Sequence, residues 1–188
     1  LVRVSDSSLI ASADFLADYT NRYLGIPLRV DVPKKGKKRT ADKAVNGIVL
    51  VNRNNGEVSG GYRLEVIPGT GIRIEGNDAA GVFYGGQTLI QMLPVRAGVL
   101  PILVAAKVVD YPRFAYRGMH LDVVRHFFPV EFIKKYIDYL ALHKLNYFHW
   151  HLTDDQAWRV EMKCRPELTA KGSVREGEIE GLYPGKYQ

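Results

Sequence analysis

Leu145-Asn-Tyr-Phe-His-Trp-His-Leu-Thr-Asp-Asp-Gln-Ala-Trp-Arg159 is an apolar and aromatic run that stops at two adjacent carboxylates, Asp154 and Asp155. From Asn146 to Thr153 the residues are bulky and carry no Asp, Glu, Lys or Arg, as a parallel strand covered on both faces requires. Such a strand needs a helix packed on it, and the preceding segment predicts one. Between Pro129 and His143, the apolar residues Phe132, Ile133, Tyr136, Ile137 and Leu140 recur at helical spacing, while Glu131, Lys134, Lys135 and Asp138 are mostly solvated. Pro129 falls near the helix start, where its missing N–H costs little. Upstream again, Gly118 to Val124 is a second short strand, so the order is strand, helix, strand.

Parallel strands of one such unit end at the same edge of the sheet, which puts Arg125 and Asp154 on one rim. In barrels of alternating strands and helices that rim carries the chemistry. Arg125 can pair with Asp122 or Asp154 simply to hold the rim together, or it can orient a polar substrate through charged hydrogen bonds. Asp154 and Asp155 suit a helix cap. As neighbours on an extended segment they point in opposite directions, so they are not the acid and nucleophile pair of a two-carboxylate glycosidase. His149 and His151 share a face, and with Asp155 they would give a metal three ligands, but no secure third ligand is evident. Histidines bonded to neighbours inside a barrel are the simpler reading, and His120 and His126 read the same way. Trp150 reads as core, and Trp150 and Trp158 are the residues that could stack on a sugar face.

Two segments together carry a family resemblance. Asp110-Tyr-Pro-Arg-Phe-Ala-Tyr-Arg-Gly-Met-His-Leu-Asp-Val-Val-Arg-His-Phe-Phe-Pro129, followed by Lys144 to Arg159, resembles the opening of the catalytic domain of glycoside hydrolase family 20, the β-N-acetylhexosaminidases. The resemblance runs from about Tyr62 to Ser173. It implies a (β/α)8 TIM barrel and hydrolysis of terminal N-acetylhexosamine residues from oligosaccharides or glycoconjugates, with no metal and no other cofactor. Catalysis in this family is substrate-assisted: the 2-acetamido oxygen of the sugar attacks the anomeric carbon while a glutamic acid protonates the leaving oxygen. By the same resemblance, Arg125 is the substrate-binding arginine that hydrogen-bonds the sugar hydroxyls. Asp154 supports catalysis by bonding a histidine on a later loop and tuning the acid. Asp155 is assigned no role. The catalytic Asp-Glu pair matches nothing in this chain, in which no Asp-Glu dipeptide occurs.

The remainder reads as a small domain in front of that barrel. The chain has 188 residues, 46% of them apolar, enough for a sizeable core. Ser7 or Ser8 is expected to cap a helix carrying Leu9, Ala13, Leu16, Tyr19 and Tyr23, with Gly25 ending it. Strands are expected at Leu28 to Val32, Gly47 to Asn52, Tyr62 to Ile67 and Ile72 to Glu75, the last two joined by Pro68-Gly-Thr-Gly as a hairpin. Asp78 should cap a second helix, Ala79 to Met92, whose Gly81, Gly85 and Gly86 imply close packing. The expected fold is therefore an α+β domain, an antiparallel sheet with two helices at residues 1–100. The first strands and helix of the barrel follow at residues 101–188. Pro94 to Pro101 is the expected linker, and Ile102 to Val109 a further strand.

The net charge of +6 owes much to Lys34, Lys35, Lys37, Lys38 and Arg39, which read as a solvated loop and not as a nucleic-acid site. No run of about 18 uncharged apolar residues suggests a membrane span. Cys164 is the single cysteine, so no disulfide forms within the chain. Leu1 opens no signal pattern, and the expectation is a secreted or periplasmic mature form without its leader. The tail from Arg165 mixes Glu and Gly and reads as loop or disorder. Because a barrel needs about 250 residues, it is expected to be incomplete in this chain, which alone should be inactive, with an exposed strand edge. The remaining barrel, or self-association, would cover that edge. A carbohydrate-binding module without turnover, or a scaffold, is the alternative function.

Overall fold

The computed structural model describes residues 1–33, 46–93 and 102–177, with the backbone of two short strands beyond them. The basic run Lys34 to Arg39 and the expected linker Pro94 to Pro101 lie outside the described residues. The chain divides into two units, Leu1–Ala115 and Tyr116–Gln188.

The first unit is one six-stranded sheet with two helices. Its strands are β1 (Val2–Val4), β2 (Val30–Asp31), β3 (Ile48–Asn52), β4 (Tyr62–Ile67), β5 (Gly71–Gly76) and β6 (Ala106–Asp110), in the order β2-β1-β3-β5-β4-β6. The expected antiparallel sheet is corrected to a mixed one. β1, β2, β3 and β5 run parallel, and β4 alone runs against its neighbours β5 and β6. The reason is connectivity: only β4 and β5 are joined by a tight turn, with Gly69 left-handed and Thr70 N bonded to Ile67 O at 3.1 Å. Strand β1 was not expected, because three residues show no periodicity.

Helix α1 (Ile10–Leu24) is entered through a 3-10 turn, Ser7–Leu9, whose cap is Asp6 and not Ser7 or Ser8; the Asp6 carboxylate accepts from Ser8 N at 2.9 Å. Gly25, at φ 67°, ends the helix as expected. Helix α2 (Ala79–Met92) is capped by Asp78, which accepts from Gly81 N at 2.7 Å and from Ser59 Oγ at 2.7 Å. Its glycines let it lie close on the sheet. A Cβ on Gly81 would stand 2.1 Å from Gly61 O, and one on Gly85 2.4 Å from Ile74 Cγ2. Val2, Val4, Leu50, Leu64, Ile74 and Val82 form the fully buried core between sheet and helices. Side chains of this size contribute about 1.5–3 kcal/mol each.

Strand β6 belongs to the first unit. β6 hydrogen-bonds β4 from Ala106 to Asp110, and Tyr62 Oη donates to Asp110 Oδ2 at 2.9 Å, so this strand completes the first sheet.

The second unit holds β7 (Gly118–Asp122), α3 (Val130–Leu142) and β8 (Tyr147–His151), then a short hairpin of β9 (Thr153–Asp154) and β10 (Ala157–Trp158). β7 and β8 pair in parallel, Gly118 opposite Tyr147 and Asp122 opposite His151. Among the described residues they form a two-stranded sheet, with α3 turning Ile133 and Leu140 inward. Tyr136 lies tilted against Phe148, and Phe148 stacks on Trp150. Trp150 itself is 41% exposed in these 188 residues.

Part of the tail, where loop or disorder was expected from Arg165 onward, is helical. Helix α4 (Pro166–Gly172) starts with Pro166 in its first turn and ends with Ser173 Oγ donating to Thr169 O. It buries no residue of its own, so no apolar stripe announced it. β11 (Ile179–Glu180) and β12 (Lys186–Tyr187) pair antiparallel beyond it.

Candidate functional site

The β7/β8 pairing brings the chemistry-bearing residues of the second unit to one face and one edge. Alternation along paired strands puts His120, Asp122, His149 and His151 on the same side of the sheet. The rings of His120 and His149 lie 4.6 Å apart, and those of His120 and His151 5.8 Å.

Asp122 ends β7 and organises the loop that follows. One carboxylate oxygen accepts from Val124 N at 2.8 Å and Arg125 N at 3.1 Å, while the other meets Arg125 Nη1 at 3.1 Å. One side chain thus fixes both the backbone and the guanidinium of Arg125. From β9, just past the end of β8, Asp154 brings a second carboxylate to the same nitrogen at 2.7 Å. His151 Nε2 lies 3.1 Å from Asp154 Oδ2, 3.1 Å from Thr153 O and 3.4 Å from Arg125 Nη1. Asp155 occupies the β9–β10 turn, not a helix start, and its amide donates to Asp154 Oδ1 at 2.8 Å.

The electrostatics follow this geometry. The Asp155 amide, foremost, and the Arg125 guanidinium hold the Asp154 carboxyl below the usual carboxylate range, against a smaller upward push from burial. Burial pushes Asp122 up, but the amides of Arg125 and Val124 and the nearby guanidinium outweigh it, and its carboxyl is also lowered. Burial lowers Arg125, and the two carboxylates more than reverse this. The cluster carries two carboxylates to one guanidinium, so it suits neutral hydroxyl groups, which donate and accept, better than a phosphate. Arg125 makes these contacts through Nη1 and is 42% exposed in its side chain; Nη2 carries two further N–H groups for a polar ligand.

Two arginines that the sequence reading did not single out grip the same loop from behind. Arg159 Nε donates to Val123 O at 3.3 Å, and Arg159 Nη1 to Ser173 O at 3.3 Å. Arg175 Nη1 donates to Val124 O at 3.1 Å, and its Nη2 donates to Arg125 O. Arg159 was in view as the last residue of the diagnostic run. Arg175, in the glycine-rich tail, gave no signal because its partners are backbone carbonyls about 50 residues away.

The structure therefore brings Arg125 and Asp154 together, with Asp122 and His151. His149 lies back along the sheet, and Asp155 contributes its amide. Among the described residues no three His, Cys, Asp or Glu side chains are disposed to hold a metal ion. Trp158 is half-buried; a Cβ on Gly172 would lie 3.0 Å from its Cβ. Among the same residues no helix is long and apolar enough to cross a membrane.

Comparison with known proteins finds two domains of one family in the same order along the chain. The family model "Glycosyl hydrolase family 20, domain 2" matches residues 1–111, and "Glycosyl hydrolase family 20, catalytic domain" matches residues 114–187. A β-hexosaminidase of Porphyromonas gingivalis is 50% identical over 123 residues, covering 62% of this chain and 16% of the relative. The Streptomyces plicatus N-acetyl-β-hexosaminidase, solved with thio-NAglucal, superposes with a TM-score of 0.77 at 38% identity over 100% of this chain and 36% of that one. An exo-β-N-acetylglucosaminidase of Vibrio harveyi, solved with N-acetylglucosamine, gives a TM-score of 0.72 at 34% identity, covering 91% of this chain and 25% of its own. The sequence thus spans between about a sixth and about a third of the length of these proteins. With both family domains matched in order, one of them over more than half of the chain, the chain belongs to glycoside hydrolase family 20.

Proposed function

We propose that the protein is a β-N-acetylhexosaminidase that releases terminal non-reducing N-acetylhexosamine by substrate-assisted, retaining catalysis. These 188 residues supply its α+β domain and the first two strands of its (β/α)8 barrel. The observation that carries the reading is Arg125, held at the shared strand end between Asp122 and Asp154 in a chain of this family.

In this reading Arg125 donates to hydroxyls of the terminal sugar, and Asp154 keeps the guanidinium in place while supporting the acid. The acetamido oxygen forms a bond to the anomeric carbon as the glycosidic C–O bond breaks. The leaving oxygen takes its proton from a glutamic acid, and water then opens the oxazolinium with net retention. That acid lies outside this sequence, in which no Asp-Glu dipeptide occurs. For the 188-residue polypeptide taken alone, this observation favours the second reading, carbohydrate binding without turnover.

The test is hydrolysis of p-nitrophenyl N-acetyl-β-D-glucosaminide by the full-length protein that carries this sequence. Activity that falls with Arg125→Ala supports the reading. Absence of hydrolysis with gluco- and galacto-configured substrates overturns it. The isolated 188-residue chain is expected to show no turnover. A secreted or periplasmic location belongs to the same proposal, and fractionation of the source cells checks it.

A further inference from the structure

The loop that presents Arg125 is held by donors from a distant part of the chain, and this arrangement has a functional consequence. Val123 and Val124 are buried, so their carbonyls need partners inside the protein. Three consecutive carbonyls, of Val123, Val124 and Arg125, accept from two arginines: Arg159 takes the first, and the planar fork of Arg175 takes the second and third. Both are tied to α4. Arg159 also donates to Ser173 O, at the end of that helix, and Arg175 follows two residues later.

We propose that Arg175 is a positioning residue for substrate binding: its fork fixes the backbone from which the Arg125 side chain is presented, so α4 and its C-terminal extension set the aim of the sugar-binding guanidinium. The inference rests on the hexosaminidase reading. Arg175 touches neither substrate nor reacting atoms; it acts through Arg125. A guanidinium offers two N–H groups on separate nitrogens in a rigid planar fork, whereas an ammonium offers its three donors around one rotatable point, without that fixed spacing. The arrangement therefore requires Arg and is only partly met by Lys.

The experiment compares wild type, Arg175→Lys and Arg175→Gln in the full-length protein. It reads kcat and KM on p-nitrophenyl N-acetyl-β-D-glucosaminide, thermal midpoint, and amide hydrogen exchange at residues 123–126. Sugar contacts made by Arg125 in both ground and transition states appear in KM, so Arg175→Gln is expected to raise KM about 10-fold, the scale of one charge-assisted hydrogen bond, with kcat nearly unchanged. Arg175→Lys should fall between, and exchange at 123–126 should speed up in the same order. A residue that serves stability alone would lower the thermal midpoint and the active fraction while leaving KM in place, and that result would overturn the proposal. So would unchanged exchange at 123–126, a readout independent of turnover. If wild type does not hydrolyse the substrate, the hexosaminidase reading fails on its own, while exchange still reports on the clamp.

Discussion

Arg125 and Asp154 each lie three residues past the end of a parallel strand, β7 and β8, and meet at 2.7 Å, Nη1 to Oδ2, although 29 positions separate them in the chain. The contact exists because β7 and β8 are in register, so their C-terminal ends coincide. Asp122 holds the same nitrogen at 3.1 Å, so the guanidinium is fixed from both strands. Replacing Asp154 by Asn keeps the shape and removes one of these charges. Asp154→Asn is expected to lower kcat/KM of the full-length protein about 10- to 100-fold, on the scale of a lost charge-assisted hydrogen bond. Steady-state kinetics on an aryl N-acetyl-β-glucosaminide measures it, and an unchanged kcat/KM would remove Asp154 from the site.

Arg125 itself should be more sensitive to shape than to charge. Its fork reaches two carboxylates through one nitrogen and offers Nη2 to a ligand, a geometry that an ammonium cannot copy. Arg125→Lys is therefore expected to lose most of the affinity for N-acetylglucosamine that Arg125→Ala loses, about 10-fold or more in either case. Titration calorimetry separates the outcomes, and near-native binding by Arg125→Lys would show that charge alone suffices.

Much of this arrangement is legible in the sequence, for reasons that also explain the omissions. The stripe of Phe132, Ile133, Tyr136, Ile137 and Leu140 has a helical period, and the run ending at Asp154 is short, bulky and bounded by charge, so β8, α3 and the shared strand end could be foreseen. Arg125 and Asp154 were legible through the motif around them. The direction of the first sheet was not. Ile48 to Asn52 and Tyr62 to Ile67 read alike as strands, yet β3 is parallel and β4 antiparallel to β5, because pairing is decided by connections and not by local pattern. Helix α4 buries no side chain and left no stripe to read. Arg175 acts on carbonyls, which every residue carries, so nothing in the sequence marks its targets.

The glycines of α2 give a prediction in which two substitutions in one helix have opposite signs. Alanine gains about 1 kcal/mol over glycine in a helix interior. At Gly86 the nearest atom to an added Cβ is Leu16 Cδ2 at 3.6 Å, an ordinary contact, so Gly86→Ala is expected to stabilise the protein by up to about 1 kcal/mol. At Gly81 the added methyl would meet a backbone oxygen at 2.1 Å, which cannot step aside without moving the chain at Gly61. Overpacking outweighs propensity there, and Gly81→Ala is expected to destabilise by about 1–3 kcal/mol. Urea unfolding of the two variants checks the pair, and equal effects would show that close approach of α2 to the sheet does not govern these positions.

Glu75 supplies a pH test for the first unit. Its side chain is 9% exposed and bonds Arg53 Nε at 2.7 Å and Arg73 Nε at 2.6 Å. Burial raises its pKa, but the two arginines outweigh that and bring the carboxyl below its ordinary value. A lowered folded pKa means that the carboxylate's contribution is fully present above the unfolded value, about 4.3, and is lost as pH falls through the folded one. Glu75→Gln removes the charge at every pH. It is therefore expected to destabilise by about 1–3 kcal/mol at pH 7, a range that allows for screening of the half-exposed Arg53. The gap between wild type and variant should begin to close as pH drops below about 4.3 and vanish under the folded pKa. Urea midpoints of both proteins between pH 7 and 3 measure that gap. A constant difference across the range would mean that Glu75 is protonated or unpaired in the folded protein, and that the Arg53 and Arg73 contacts contribute no linkage.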